Sequence, residues 1–177
     1  MTFFPRAGLF EALPSTAPLV GPAYRAFNAV ITGDVFLGPD VGVWFGCVLR
    51  GDDAPLTVGP RTNVQDLTMI HADTGIPNTL GEDCTIGHRC VLHGARVGDR
   101  CLIGMGAILL GRSEIGDESL VAAGAVVREG FHVPPRSLVA GVPAKIVRSV
   151  TEAEAALFRA SAEGYVRKIR LYLENPS

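Results

Sequence analysis

The sequence predicts an all-β solenoid, a parallel β-helix of hexapeptide repeats followed by a C-terminal α-helix. Three observations predict it. Aliphatic residues recur every six positions, at 31, 37, 43 and 49, at 58, 64 and 70, at 80, 86 and 92, and then from 97 through 103, 109, 115, 121, 127 and 133 to 139. Glycine supplies 21 of the 177 residues and often follows the aliphatic, as in Leu37-Gly38, Val58-Gly59, Ile86-Gly87, Val97-Gly98, Ile103-Gly104 and Ile115-Gly116. Past residue 150 the apolar spacing changes to three and four. Six residues give one short strand and a turn, and three such sides close a triangular coil. One coil cannot bury its own inward side chains, but stacked coils bury a continuous apolar column.

In chain order, residues 1–28 carry weak local signals. Phe3, Phe4, Leu9, Phe10 and Leu13 can cap one end of the core, and Pro5, Pro14, Pro18 and Pro22 exclude a long helix. The repeats start at Ile31, with 50–57 and 72–79 expected as outward bulges that keep the count in phase. Cys47, Cys84, Cys90 and Cys101 each stand two residues before a repeat aliphatic, in a slot that elsewhere holds Ala29, Ala95, Ala107, Ser113, Ser119 or Ala125. Such a slot is a tight corner for a small side chain, so packing is the role expected of these cysteines. Val139 to Lys145 reads as an irregular exit. Thr151 and Glu154 then form a capping box. Phe158, Ala162, Tyr165, Ile169 and Tyr172 make an apolar stripe that lays the helix along the solenoid wall, and Asn175-Pro176 ends it. The expected organisation is a β-helix domain with an N-terminal cap over 1–150 and the packed helix over 151–177.

Composition removes several function classes. Lys plus Arg is 16 against 18 for Asp plus Glu, a net charge of −2 that argues against nucleic acid or an anionic membrane as partner. The start M-T-F-F-P-R-A-G lacks the features of a signal peptide, and no apolar run approaches the roughly 18 residues of a membrane span. The cysteines follow neither zinc-ribbon nor secreted-disulfide spacing, so a cytoplasmic location is expected.

The informative stretch runs from Asn63 to His93, where N-V-Q-D-L-T-M-I-H is followed by a loop and then I-G-H-R-C-V-L-H-G. It holds three of the four histidines, His71, His88 and His93. Side chains one coil apart stack about 4.8 Å apart. Leu49, Ile70 and Leu92 then stack, which places Arg50, His71 and His93 in one outward column. Val43, Val64 and Ile86 stack likewise, and two residues on lie Phe45, Asp66 and His88 in a second column on another face. His71 and His93 are neighbours that one metal could bridge, while His88 lies around a corner. A symmetric oligomer resolves this, with His88 of one subunit meeting His71 and His93 of the next. A triangular rod packed side by side suggests a threefold assembly with sites at its interfaces. The alternative, three separate surface histidines, leaves the two-histidine column beside Arg50 unexplained.

These elements resemble the γ-class carbonic anhydrase family of left-handed β-helix proteins. The matched residues are Arg50-Gly-Asp52-Asp53, Asn63-Val-Gln65-Asp66, His71, and His88 followed five residues later by His93, and the likeness runs through V-A-G-V-P-A-K to the terminal helix. The resemblance, and not the periodicity, implies the left hand of the coil. It further implies a homotrimer in which His71 and His93 bind a metal from one subunit and His88 from its neighbour. A bound water would lose a proton near neutral pH, and the hydroxide would attack carbon dioxide to give bicarbonate. Gln65 would orient that hydroxide and Asn63 would contact substrate. Arg50 and Asp52 resemble the family's intersubunit ion pair, and Asp66 would share in that pairing or hold a neighbouring group. Zn(II) is the first choice of metal, with Fe(II) and Co(II) open, since the ligands alone do not choose.

Two departures bear on activity. The family's archaeal prototype has a long acidic loop with a glutamate proton shuttle, where this chain has only Ala72 to Thr79 and no glutamate. Asp53 stands where the prototype has a glutamate. A missing shuttle could slow turnover. Acyl-coenzyme A thioester hydrolysis or acyl transfer, and a non-enzymatic metal-binding scaffold, are the competing readings. Tyr165 is expected in the core and His132 on the surface.

Overall fold

A computed structural model of the protein describes residues 9–13 and 22–174. Every repeat aliphatic from Leu37 to Val139 is buried to 6 % exposure or less, and Ile31 packs half-buried against them. These side chains fill a left-handed parallel β-helix of about six coils, with one C-terminal helix.

The first face stacks Ala23–Ala26, Gly42–Val43, Asn63–Val64, Thr85–Ile86, Leu102–Ile103, Leu120–Val121 and Ser137–Gly141. The second and third faces share the long strands Val30–Leu37 and Val48–Val58, which bend around a corner. Met69–His71, Val91–His93, Ile108–Leu109 and Val126–Val127 continue the second face. Asn78–Leu80, Arg96–Val97, Glu114–Ile115 and His132–Val133 continue the third. Antiparallel strands close both ends of the first face, Phe10–Leu13 on Ala23–Ala26 and Ala144–Ser149 on Ser137–Gly141. They cover edges that would otherwise present unpaired backbone groups.

Both expected bulges are narrower than the count suggested. Thr32 pairs Arg50 and Gly33 pairs Gly51, and pairing resumes at Val35 with Leu56, so only 52–55 loop out. Gly33 and Gly51 make this possible, because a Cβ on Gly33 would stand 2.4 Å from the Gly51 carbonyl carbon. The second excursion ends at Pro77, since Asn78 is already in strand. The exit past Val139 is a hairpin with one irregularity of register, at Leu138/Val139: Gly141 takes φ 101°, Val142–Pro143 is cis, and Ala144–Ser149 runs back antiparallel.

All four cysteines are free and 0 % exposed, and their thiols donate to carbonyls of the next coil, Cys47 to Gln65 at 3.0 Å and Cys90 to Gly104 at 3.2 Å. The helix Glu152–Glu174 opens on the expected box, with Thr151 N–H donating to Glu154 at 2.9 Å and Glu154 N–H to Thr151 Oγ1 at 3.3 Å. Ala155, Phe158, Ala162 and Ile169 are its buried stripe. Fully burying a side chain such as Ile169 is worth about 1.5–3 kcal/mol. Leu9, Phe10 and Leu13 pack on the core, with Phe10 5.0 Å from the Trp44 ring and 5.2 Å from Tyr172. Phe3, Phe4, Pro5, Pro14, Pro18 and the Asn175-Pro176 stop lie outside the described residues. Among the described residues no helix is long and apolar enough to cross a membrane.

Candidate metal centre

The register that stacks the inward aliphatics also stacks their outward neighbours. Leu49, Ile70 and Leu92 are successive partners, and so are Arg50, His71 and His93. Side chains alternate across a strand, so the residue after each inward aliphatic points outward. His71 Nδ1 and His93 Nε2 lie 3.2 Å apart. Two nitrogens on a tetrahedral zinc, each about 2.0–2.1 Å from it, are about 3.3–3.4 Å apart. The 3.2 Å contact is a hydrogen bond between the two rings, and it falls within about 0.2 Å of the separation that one shared ion sets.

The far nitrogen of each ring faces a carboxylate. His71 Nε2 is 3.2 Å from Asp52 and 3.1 Å from Asp53, and His88 Nδ1 is 2.8 Å from Asp66. His93 Nδ1 is 3.6 Å from Asp73. A carboxylate in that position fixes the orientation of a metal-binding imidazole and raises its basicity. His71 is only 7 % exposed despite pointing outward, enclosed by these acids and by His93. Among the described residues, Asp52, Asp53 and His71 are the one trio of His, Cys, Asp or Glu ligand atoms lying within 4.8 Å of one another. His88 stands apart from it, around the corner in its own column, where Asp66 also accepts from the Phe45 N–H at 3.1 Å.

Arg50 meets Asp52 at 2.6 Å within the one chain and Asp53 at 4.0 Å. The Arg50 hydrogen bond holds the Asp52 carboxyl below its ordinary range. Asn63 and Gln65 are buried on the first face. Asn63 donates to the Cys84 carbonyl and to Thr85 Oγ1, both at 3.1 Å, and Gln65 Nε2 donates to Asn63 Oδ1 at 3.1 Å. This chain of amides leaves Gln65 Oε1 as an acceptor. Gln65, Thr85, His88, Met105, Ser161 and Tyr165 line a groove of about 520 Å³ beside the helix. Tyr165 thus serves both the wall and the groove, packing edge-on to Trp44 at 5.3 Å. Burial, and then the nearby Asp66 charge, push its phenol upward. His132 is 68 % exposed beside Glu114, away from this site.

Asp73 and Asn78 are contributors that sequence reasoning missed. Asp73 was hidden in the loop that breaks the repeat. Asn78 had a signal, because it fills the corner slot, two before Leu80, that so often takes Ala, Ser or Cys.

Two family models match the chain, "Hexapeptide repeat of succinyl-transferase" over 77–110 and "Bacterial transferase hexapeptide (six repeats)" over 94–129. A carbonic anhydrase of Geobacillus kaustophilus is 41 % identical over 157 residues, covering 89 % of this chain and 86 % of that one. The mitochondrial gamma carbonic anhydrase 1 of Arabidopsis thaliana is 40 % identical over 156 residues, covering 84 % of this chain and 57 % of that longer protein. Among solved structures, a hexapeptide transferase family protein from Anaplasma phagocytophilum superposes with a TM-score of 0.75 at 35 % identity, covering 86 % of this chain and 93 % of that one.

Proposed function

The chain belongs to the γ-class carbonic anhydrase family of hexapeptide-repeat proteins, and we propose that it catalyses the reversible hydration of carbon dioxide to bicarbonate at a divalent metal shared between subunits of a homotrimer. The observation that carries this reading is the His71–His93 pair, two imidazoles at metal-bridging separation and each with a carboxylate near its other nitrogen. These two residues would hold the ion from one subunit and His88 from its neighbour, with Zn(II) preferred over Fe(II) or Co(II). An ion so held would supply the Lewis acidity that lets water give up a proton near neutral pH.

The chain's own residues do the rest. Asn63, fixed by two hydrogen bonds, holds the Gln65 amide, whose free Oε1 accepts a hydrogen bond from the attacking water and aims it. The apolar wall of the groove, with Met105 and Tyr165, receives the carbon dioxide. Arg50 keeps Asp52 charged beside His71, and Asp66 holds the His88 ring toward the adjoining subunit. Asp53, half in solvent and beside His71, stands where the family's prototype has a longer glutamate, and is a carboxylate placed to carry the proton away in the absence of the loop glutamate. The buried free thiols suit a reducing compartment, and we place the protein in the cytoplasm.

The test is stopped-flow carbon dioxide hydration by anaerobically purified protein loaded with zinc or iron, with a chelated aliquot as the blank. Metal-dependent turnover is expected. A fully loaded protein that hydrates nothing would sink the proposal. A second reading, acyl transfer or thioester hydrolysis, is favoured by the groove and by the transferase-family relative. Turnover on a panel of acyl-coenzyme A thioesters, with none on carbon dioxide, would select it.

A further inference from the structure

The loop 72–77 separates His71 from the next strand, and Asn78 is the residue at which the chain returns. Its side chain is 1 % exposed. The amide nitrogen donates to the His71 carbonyl at 3.1 Å and to the Leu92 carbonyl at 2.9 Å. Leu92 immediately precedes His93. One buried amide therefore ties together the backbones of the two coils that carry the histidine pair. Both N–H groups are spent on it, and Oδ1 is left enclosed without a donor. The reverse orientation of the amide would set Oδ1 against two carbonyls, so the assignment follows from the neighbours. Leu92 is 0 % and His71 7 % exposed, and a polar residue that sacrifices its own acceptor in such surroundings is held there by what its donors do.

The other corners do not need this device. Ser119, in the equivalent slot elsewhere, donates to the Pro134 carbonyl and accepts from the Ser137 N–H, bonding within ordinary repeats. Asn78 differs in bridging across an excursion of the chain. Gly94 N–H also donates to the His71 carbonyl at 2.9 Å, so that carbonyl is fixed from two sides.

We infer that Asn78 is a positioning residue for the metal pair, setting the separation of His71 and His93 by clamping the carbonyls of His71 and Leu92. The inference rests on the proposed metal site and adds to it the residue that makes the two imidazoles a preformed chelate.

Asn78→Leu keeps the branched four-heavy-atom outline, with bulkier methyls in place of the amide, and removes both donors. In zinc titrations with a competing chelator, the variant should bind about ten- to a hundredfold more weakly than the native protein, the range seen when partners of metal ligands are removed. Its Co(II) form should show shifted visible absorption bands. Ser119→Ala removes the buried polar group of an equivalent corner, one that bonds Pro134 and Ser137 and none of the proposed ligands, and should lower the melting temperature with dissociation constant and bands unchanged. Asn78→Thr, which retains one donor in a strand-compatible residue, should fall between. If Asn78→Leu melts earlier yet binds zinc like the native protein with unshifted cobalt bands, Asn78 only staples the fold and the inference is overturned. Should the leucine variant not fold, native affinity in Asn78→Thr overturns it equally. A native protein that takes up neither zinc nor cobalt would overturn the metal reading itself, and this inference with it, before any substitution is made.

Discussion

A cysteine in this chain is a corner piece, and its chemistry follows from that place. Cys47 and Cys90 sit where one face turns into the next, packed on all sides. Burial pushes the Cys47 thiol up to about 12 and the Cys90 thiol to about 11, from an ordinary 9.0. A raised folded-state value means that ionisation favours the unfolded chain. Their contribution to stability is therefore complete below pH 9 and is lost as pH climbs from 9 toward 11 and 12. The thermal midpoint should be flat between about pH 7 and 8.5 and fall above about 9. An aromatic disulfide reagent at pH 8 should find the native thiols nearly inert, because the thiolate is the reactive form. After denaturation all four should react. Rapid labelling of the native protein would contradict the packing role.

What could be read at this scale divides along a physical line. The repeat arithmetic gave the contact between His71 and His93 because a strand period of two and a coil of three sides leave no freedom in where those side chains go. Asn78 and Asp73 escaped it. They flank an excursion in which the count stops, and their roles depend on how a loop folds back, which spacing does not encode.

At the scale of elements, one corner of the solenoid carries a ladder that periodicity of apolar residues cannot reveal. Asp40, Arg61, Asp83, Arg100, Glu118 and Arg136 occupy it on successive coils, all in the left-handed conformation with φ between 54° and 58°. Their charges alternate in sign. Arg61 meets Asp83 at 2.6 Å, and Glu118 meets Arg100 at 3.3 Å and Arg136 at 3.2 Å. The helix joins in, with Arg159 on Glu118 at 3.1 Å and Arg170 on Asp40 at 3.4 Å, while Glu152 pairs with Arg136. Isolated surface pairs contribute little. This one is a network, and Glu118 at its hub is 20 % exposed. A slip of one coil would set like charges side by side, so the ladder favours the native stacking and docks the helix at once. Glu118→Gln keeps the shape and removes the charge, and should cost about 1–2 kcal/mol in low-salt melts. The loss should shrink in about 1 M salt. Glu129→Gln, at a pair in which both side chains are 65 % exposed, should cost almost nothing. Equal losses for the two would deny the hub its role.

At the scale of the whole molecule, the fold answers why three histidines so close in sequence are not one site within a chain. His88 and His93 are five residues apart, and a coil spends about that many on turning a corner, so their side chains leave the solenoid on different faces. The stack can bring His71 onto His93, but no register of it brings His88 to them. A neighbouring rod can, in the homotrimer proposed above. On the proposed shared centre, His88→Ala and His71→Ala should each leave a folded β-helix that fails to retain metal, since either change removes a ligand from every such site. When the two variants are unfolded together in equal amounts and refolded, an interface is whole only if the first variant supplies His71 and His93 and the second supplies His88. Random assembly in a closed ring makes about a quarter of the interfaces whole. Metal analysis of the refolded mixture, with mixed trimers verified by native mass spectrometry, should recover about that fraction of native zinc. A site built within one chain would recover none, because no single chain in the mixture has all three ligands. Mixed trimers without metal would therefore refute the shared centre even if each variant had behaved as expected alone.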